Sequence, residues 1–209
     1  TDAPMRFMAK KYGQPDVIYT EFVSVEGLWR IEKRGETTHK IWNELKFDET
    51  EHPIVVQLFG SDPDSFYEAT KIVAKMEFDG IDINMGCPSP GLEKRGGGAG
   101  LMRDLGLAHK VIEAVRRGVC DCSLGSGRAK DDGDAEVSMR GTRLAPGHTG
   151  GIPALRTEHL LHHKVSLPVS VKTRIGSNVP DPKWWKFLAG EELAVVAMHG
   201  RTFKQLYSG

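Results

Sequence analysis

The sequence predicts an α/β fold, a barrel of parallel strands alternating with helices, and three observations carry that expectation. Short runs rich in β-branched and apolar residues recur at 17–20, 54–60, 80–86, 168–174 and 193–199. Amphipathic segments stand between several of them, which gives the strand, helix, strand order of a parallel crossover unit. Polar side chains fall where each run ends: Glu21, Gln57, Asn84, Lys172 with Arg174, and His199 with Arg201. In a (β/α) barrel the active site lies at the carboxyl ends of the strands, where these residues would converge. A doubly wound sheet is the competing architecture. It would announce a nucleotide with a glycine-rich turn opening a helix after its first strand, and no G-x-G-x-x-G stands in that context.

The elements follow in order. Val17, Ile18, Tyr19 and Thr20 make the first strand. The run IVVQLFG at 54–60 has the apolar continuity of a strand buried on both faces. Ser61 and Asp62 can cap the next helix, Pro63 suits its first turn, and Phe66, Ala69, Ile72, Val73 and Met76 recur on one helical face. GIDINMG at 80–86 is the third strand, and Leu107, Ala108, Val111, Ile112 and Val115 mark a second amphipathic helix. PVSVKTR at 168–174 is the fourth strand; Trp184, Trp185, Phe187 and Leu188 sit on a short helix, and LAVVAMH at 193–199 is the fifth strand. From 118 to 165 the rhythm fails, with eight glycines between Gly118 and Gly151 and the acidic run Asp131, Asp132, Gly133, Asp134. That stretch reads as a mobile insertion, with a short helix after Pro153 carrying Leu155, Leu160 and Leu161. The expected organisation is therefore a first part of the barrel at 1–117, the insertion at 118–165, and the continuation of the barrel at 166–209.

Composition narrows the function classes. The 209 residues carry 28 basic and 28 acidic side chains, so bulk charge would not drive the chain onto nucleic acid, although a local basic surface is compatible with it. A hydrophobic share of 39% supports a core. No run of about 18 apolar residues is present, so no membrane span is expected. No secretory leader is visible and three cysteines cannot all pair within one chain, so the cytoplasm is the expected compartment. No stable protein partner is predicted.

The densest chemistry is Asn84-Met85-Gly86-Cys87-Pro88-Ser89-Pro90, followed by Lys94-Arg95-Gly96-Gly97-Gly98-Ala99-Gly100-Leu101-Met102. A cysteine just past a strand end, between Gly and Pro, is held on a turn at the mouth of the fold, where a thiol meets substrate. A lone cysteine is otherwise a small buried hydrophobe. The neighbouring glycines and the two cations would let backbone amides approach an anionic or planar ligand closely. Cys120-Asp121-Cys122, with His148, His159, His162 and His163 downstream, has the wrong spacing for a zinc knuckle, and no metal is expected.

These motifs, INMGCPSP, KRGGGAGLM, VSVKTRIG and HGRT with Gln205 and the closing Tyr207-Ser208-Gly209, resemble in content and order the tRNA-dihydrouridine synthase (Dus) family. Thr1-Asp2-Ala3-Pro4-Met5-Arg6 and Tyr19-Thr20-Glu21 resemble that family's TDxPFR and YTE stretches, with Met where Phe is usual. The resemblance covers 1–117 and 166–209. It implies an incomplete (β/α)8 TIM barrel holding about strands 2–6, with an inserted loop where the family's connection is short. It also implies a flavoenzyme that uses FMN, with NADPH as reductant, to reduce uridine to 5,6-dihydrouridine in tRNA. Hydride would pass from the flavin to C6, and Cys87 would give the proton to C5; a thiol with an ordinary pKa of about 8.5 is mostly protonated at neutral pH.

Lys172, Gln57 and His199 match the family's flavin-contacting residues. Against each stands a plainer role: an ordinary surface lysine, a strand-end cap, a satisfied structural histidine. Asn84 and Arg174 would face the substrate, Asn84 at the flipped uracil or its ribose and Arg174 at a phosphate. Lys94, Arg95, Arg103, Lys110, Arg116 and Arg117 against Glu93, Asp104 and Glu113 give the 91–117 segment a positive surplus for tRNA. The alternatives are an FMN barrel oxidoreductase of the dihydroorotate dehydrogenase type and a non-catalytic fragment.

Overall fold

The computed structural model describes residues 1–125 and 167–206. The greater part of the expected insertion, its short helix and residues 207–209 lie outside the described residues.

Five strands form one sheet, all parallel and in chain order: β1 (Ile18–Ser24), β2 (Ile54–Phe59), β3 (Gly80–Met85), β4 (Val169–Arg174) and β5 (Val195–His199). Helix α1 (Ala3–Gly13) precedes β1, and α2 (Val25–Lys33) and α3 (Lys40–Glu44) link β1 to β2. Helix α4 (Pro63–Val73) links β2 to β3, α5 (Pro90–Glu93) and α6 (Leu105–Gly125) follow β3, and α7 (Pro182–Gly190) joins β4 to β5. An unbroken parallel series of this kind is the expected α/β barrel architecture in part, five strands of it.

The helix-facing side of the sheet is the core. Ile54, Val56, Leu58, Ile81, Ile83 and Val171 are wholly buried there with Phe66, Ala69, Val111, Ile112 and Val115. Trp184 of α7 closes this layer and donates its indole N–H to Thr173 Oγ1 at 3.0 Å. The other side of the sheet is open. Val55, Gln57 and Phe59 alternate with the buried residues of β2 and are half-exposed, so β2 is buried on one face and not on both as the sequence pattern implied. Its inner face borders a cleft. Strand β5 lies at a sheet edge, and Val195 is 51% exposed.

Four helices, α1, α2, α3 and α5, escape the sequence reading. Asp2 caps α1 by accepting from the Met5 amide at 3.1 Å, and Pro4 stands in its first turn. The buried residue of α1 is an arginine: Arg6 is 2% exposed and ion-pairs with Glu51, while its other nitrogens donate to the Thr1 carbonyl at 2.7 Å and the Lys46 carbonyl at 2.8 Å. Helix α2 starts without a loop, because Ser24, the last residue of β1, is itself the N-cap and accepts from the Gly27 amide. Strand β1 passes an irregularity between Tyr19 and Phe22 and so runs four residues beyond Thr20.

The boundary expected at Gly118 falls inside α6, which continues to Gly125. Gly118 is a packing residue and not a breaker: a Cβ there would lie 2.8 Å from Thr70 Cβ and Cγ2 of α4 and 2.9 Å from the Tyr67 carbonyl oxygen. Replacing Gly118 with Val is expected to destabilise the fold by about 1–3 kcal/mol through overpacking. Chemical denaturation measures this, and an unchanged midpoint would show that α4 and α6 part freely. Among the described residues, no helix is long and apolar enough to cross a membrane.

Candidate active site

Register builds the site. In a parallel sheet, paired residues on one face stand side by side. Gln57 pairs with Asp82 and Asp82 with Ser170; Asn84 pairs with Lys172 and Lys172 with Ala197; Arg174 pairs with His199. The cleft at the carboxyl end of the sheet has a volume of about 610 Å³ and is lined by Gln57, Asn84, Cys87, Lys172, Arg174 and His199, together with Tyr19, Phe22, Asp82 and others. That volume is in the range of small-molecule and cofactor sites. All six residues expected from the sequence therefore meet in one place. Glu21 and Arg201, the other polar strand-end residues, are not among its lining.

Cys87 is half-buried on a turn held from three sides. From the sheet, Asn84 Oδ1 accepts the Gly86 and Cys87 amides at 3.1 and 2.9 Å. From β4, Arg174 Nε donates to the Gly86 carbonyl at 2.9 Å. From the glycine segment, the Ala99 amide donates to the Cys87 carbonyl at 3.1 Å. Gly98, Ala99 and Gly100 are buried in a short 3₁₀ turn. Gly98 has φ +55°, and a Cβ there would lie 2.9 Å from the Cys87 carbonyl oxygen; one at Gly97 would collide with the Gly60 carbonyl. The glycines thus pack backbone against backbone behind the cysteine and are not among the residues lining the cleft, which differs from the ligand-approaching loop expected of them.

Lys172 is the one exposed residue of β4, lines the cleft, and makes no hydrogen bond or ion pair among the described residues. His199 ends β5 with its Nδ1 buried. Burial, then the positive charges of Arg174, Lys172 and Arg201, hold its pKa below the usual histidine value, against a backbone hydrogen bond at Arg201 that acts the other way. Asn84 spends one Nδ2 hydrogen on Gln57 Oε1 at 3.0 Å. Arg174 is buried, and Nε and one Nη serve the carbonyls of Gly86, Thr202 and Leu206. In the 91–117 segment, Arg103 pairs with Glu93 of the same segment, and Arg116 lies 3.8 Å from Glu191 outside it, so one charge of the positive surplus is offset locally. Among the described residues no group of three or more His, Cys, Asp and Glu could hold a metal ion; His148, His159, His162 and His163 lie outside them.

Asp82 is the residue that sequence reasoning passed over. It is 1% exposed and accepts from Ser170 Oγ at 2.6 Å and Gln57 Nε2 at 2.7 Å. The available signal was a carboxylate inside an apolar strand, two positions before Asn84 and so on the same face. Burial raises its pKa, opposed by the two hydrogen bonds and by the charge of Lys172. The native state then holds this proton more tightly than the unfolded chain, so the associated stability is full below the ordinary carboxylate pKa and is lost as pH rises through the raised native value. Asp82→Asn is expected to flatten that part of a plot of melting temperature against pH; identical slopes for both proteins would contradict the shift.

A parallel β/α sheet with a thiol and several polar side chains gathered at its carboxyl end has the layout of part of a (β/α) barrel. A model of the family described as dihydrouridine synthase (Dus) matches residues 1–124. The chain belongs to that family. Relatives include a protein named probable tRNA-dihydrouridine synthase from Staphylococcus aureus strain Mu50, 29% identical over 208 residues, covering 99% of this chain and 48% of the relative. Another, from Bacillus subtilis strain 168, is named probable tRNA-dihydrouridine synthase 2 and is 27% identical over 204 residues, covering 97% of this chain and 47% of the relative. The chain spans about half the length of these curated relatives.

Proposed function

We propose that the cleft is the catalytic centre of an FMN-dependent tRNA-dihydrouridine synthase that reduces uridine with NADPH as reductant, acting in the cytoplasm. The observation that carries this reading is the meeting of Gln57, Lys172 and His199, from three strands, with the Cys87 turn in one cleft of a Dus-family chain. A lysine without a hydrogen bond or ion pair among the described residues and a histidine, lining the same cleft, fit a planar heterocycle with a polar edge. FMN, when bound, supplies the hydride that reaches C6 of the uracil ring.

The protein's part is placement and proton supply. Lys172 would hold the cofactor's polar edge through its positive charge. Gln57 and His199 offer hydrogen bonds that fix its orientation. The Cys87 thiol holds the proton destined for C5. Asn84 has one Nδ2 hydrogen left for the flipped base, and the second Nη of Arg174, which makes no hydrogen bond among the described residues, is the group left for a substrate phosphate.

The test is a titration of the purified chain with FMN, followed by dihydrouridine formation on unmodified tRNA with NADPH. Flavin binding without tRNA reduction would point to a barrel oxidoreductase with a small-molecule substrate, and no flavin binding would remove the proposal. Replacing Lys172 with Met is expected to weaken FMN binding by about tenfold or more, the loss of one charge-assisted contact; unchanged affinity would sink the role given to this lysine.

A further inference from the structure

Resting on the catalytic role proposed for this cleft, we infer that Asp82 is a positioning residue: its buried carboxylate terminates a hydrogen-bond relay through Gln57 and Asn84 that holds the Cys87 turn. The relay runs Ser170 Oγ to Asp82 at 2.6 Å, Gln57 Nε2 to Asp82 at 2.7 Å, Asn84 Nδ2 to Gln57 Oε1 at 3.0 Å, then the Gly86 and Cys87 amides to Asn84 Oδ1 at 3.1 and 2.9 Å.

Its sense is fixed by chemistry at both ends. A primary amide has one donating and one accepting end. The amides of Gly86 and Cys87 can only donate, so Asn84 must turn its oxygen to them and its nitrogen to Gln57. Gln57 must then turn its oxygen to Asn84 and its nitrogen toward β3, where only an acceptor satisfies it. Asp82 is that acceptor. An apolar side chain of similar size would fill the strand without the penalty of burying a carboxylate, but it would leave the Gln57 nitrogen facing a site with no acceptor and the amide free to rotate. Acceptor capacity at this point, and not charge, is what the relay needs.

That distinction makes the inference testable in the 209-residue chain. The measurements are FMN affinity and the rate of iodoacetamide alkylation at Cys87, followed by peptide mapping so that Cys120 and Cys122 do not contribute. In Asp82→Asn the amide oxygen can accept from Gln57 while its nitrogen donates to the Ser170 hydroxyl, so both quantities are expected within about twofold of wild type. In Asp82→Ala, Cys87 alkylation is expected to change several-fold as the turn loosens, with FMN affinity falling about tenfold.

A merely structural Asp82 would lower the melting temperature without moving alkylation. The inference is overturned if folded Asp82→Ala alkylates like wild type, or if Asp82→Asn is as defective as Asp82→Ala. Should Asp82→Ala not fold, Gln57→Leu cuts the relay one residue later with the Asp82–Ser170 bond in place, and it must show the same change in alkylation; no change overturns the inference. A wild-type chain that binds no FMN would defeat the cofactor reading, while the alkylation comparison would still decide the relay.

Discussion

Replacing Cys87 with Ala is expected to leave reduction of bound flavin by NADPH intact and to slow reduction of uridine in tRNA by about 10²–10⁴-fold, the usual contribution of a positioned acid. On the proposed mechanism the two half-reactions separate because the thiol would serve only the second. Cys87 stands at the cleft on a turn whose three ties are a side chain of β3, a side chain of β4 and the Ala99 amide. None of these passes through the Cys87 sulfur, so removing it leaves the turn in place. Stopped-flow absorbance follows the first half-reaction, and single-turnover dihydrouridine formation follows the second. Equal losses in both would show that the sulfur supports the cleft and does not donate the proton.

The second large effect is on stability. Arg6 and Glu51 form a buried ion pair, and the Glu51 carboxylate also accepts the Asp48 amide at 3.1 Å. Arg6→Ala would strand that carboxylate in the interior and take donors from the Thr1 and Lys46 carbonyls. Breaking one side of such a pair costs about 3–5 kcal/mol. At about 2–4 °C per kcal/mol for a chain of this size, the melting temperature is expected to fall by about 6–20 °C. A double variant that also removes the Glu51 carboxylate should be less destabilised than the two single losses combined, because no charge is left alone. Thermal melts of the three variants measure this, and a fall of only a degree or two in Arg6→Ala would show that water reaches Glu51.

The contrast between these two sites explains what could be read from the sequence. All five strands were legible because their helix-facing residues are β-branched or long apolar side chains, as at Ile54, Val56 and Leu58. Helix α1 was not, because its pattern is inverted: Met5, Phe7, Met8 and Tyr12 are exposed, and its buried side chain is Arg6. Hydrophobic periodicity cannot find a helix anchored by an ion pair. In the same way, Gly118 looked like a break in helical rhythm when its missing side chain is what lets α6 approach α4.

At the site, Gln57, Asn84, Cys87, Lys172 and His199 were visible because each is a polar residue at or just past the end of an apolar run. Asp82 was hidden by the same logic. It sits two residues deeper in β3, where a carboxylate looks like an interruption, and its meaning depends on Gln57 and Ser170, which are 25 and 88 residues away in sequence. Arg174 lines the cleft with the other expected residues, but the carbonyls of Gly86, Thr202 and Leu206 that engage it can be identified only in three dimensions.

The backbone packing behind Cys87 has a kinetic consequence. Gly98 and Ala99 press directly on the cysteine turn, and Gly97 presses on the Gly60 carbonyl at the end of β2, so the turn and the β2–α4 junction share one rigid backing. A catalytic loop that orders only when substrate arrives loses conformational entropy at that moment and slows capture. Here that entropy is lost during folding, in contacts that need no ligand. The turn should therefore open only with larger unfolding events, and the amide of Ala99 should exchange its proton on the timescale of the core strands and not on that of a surface loop.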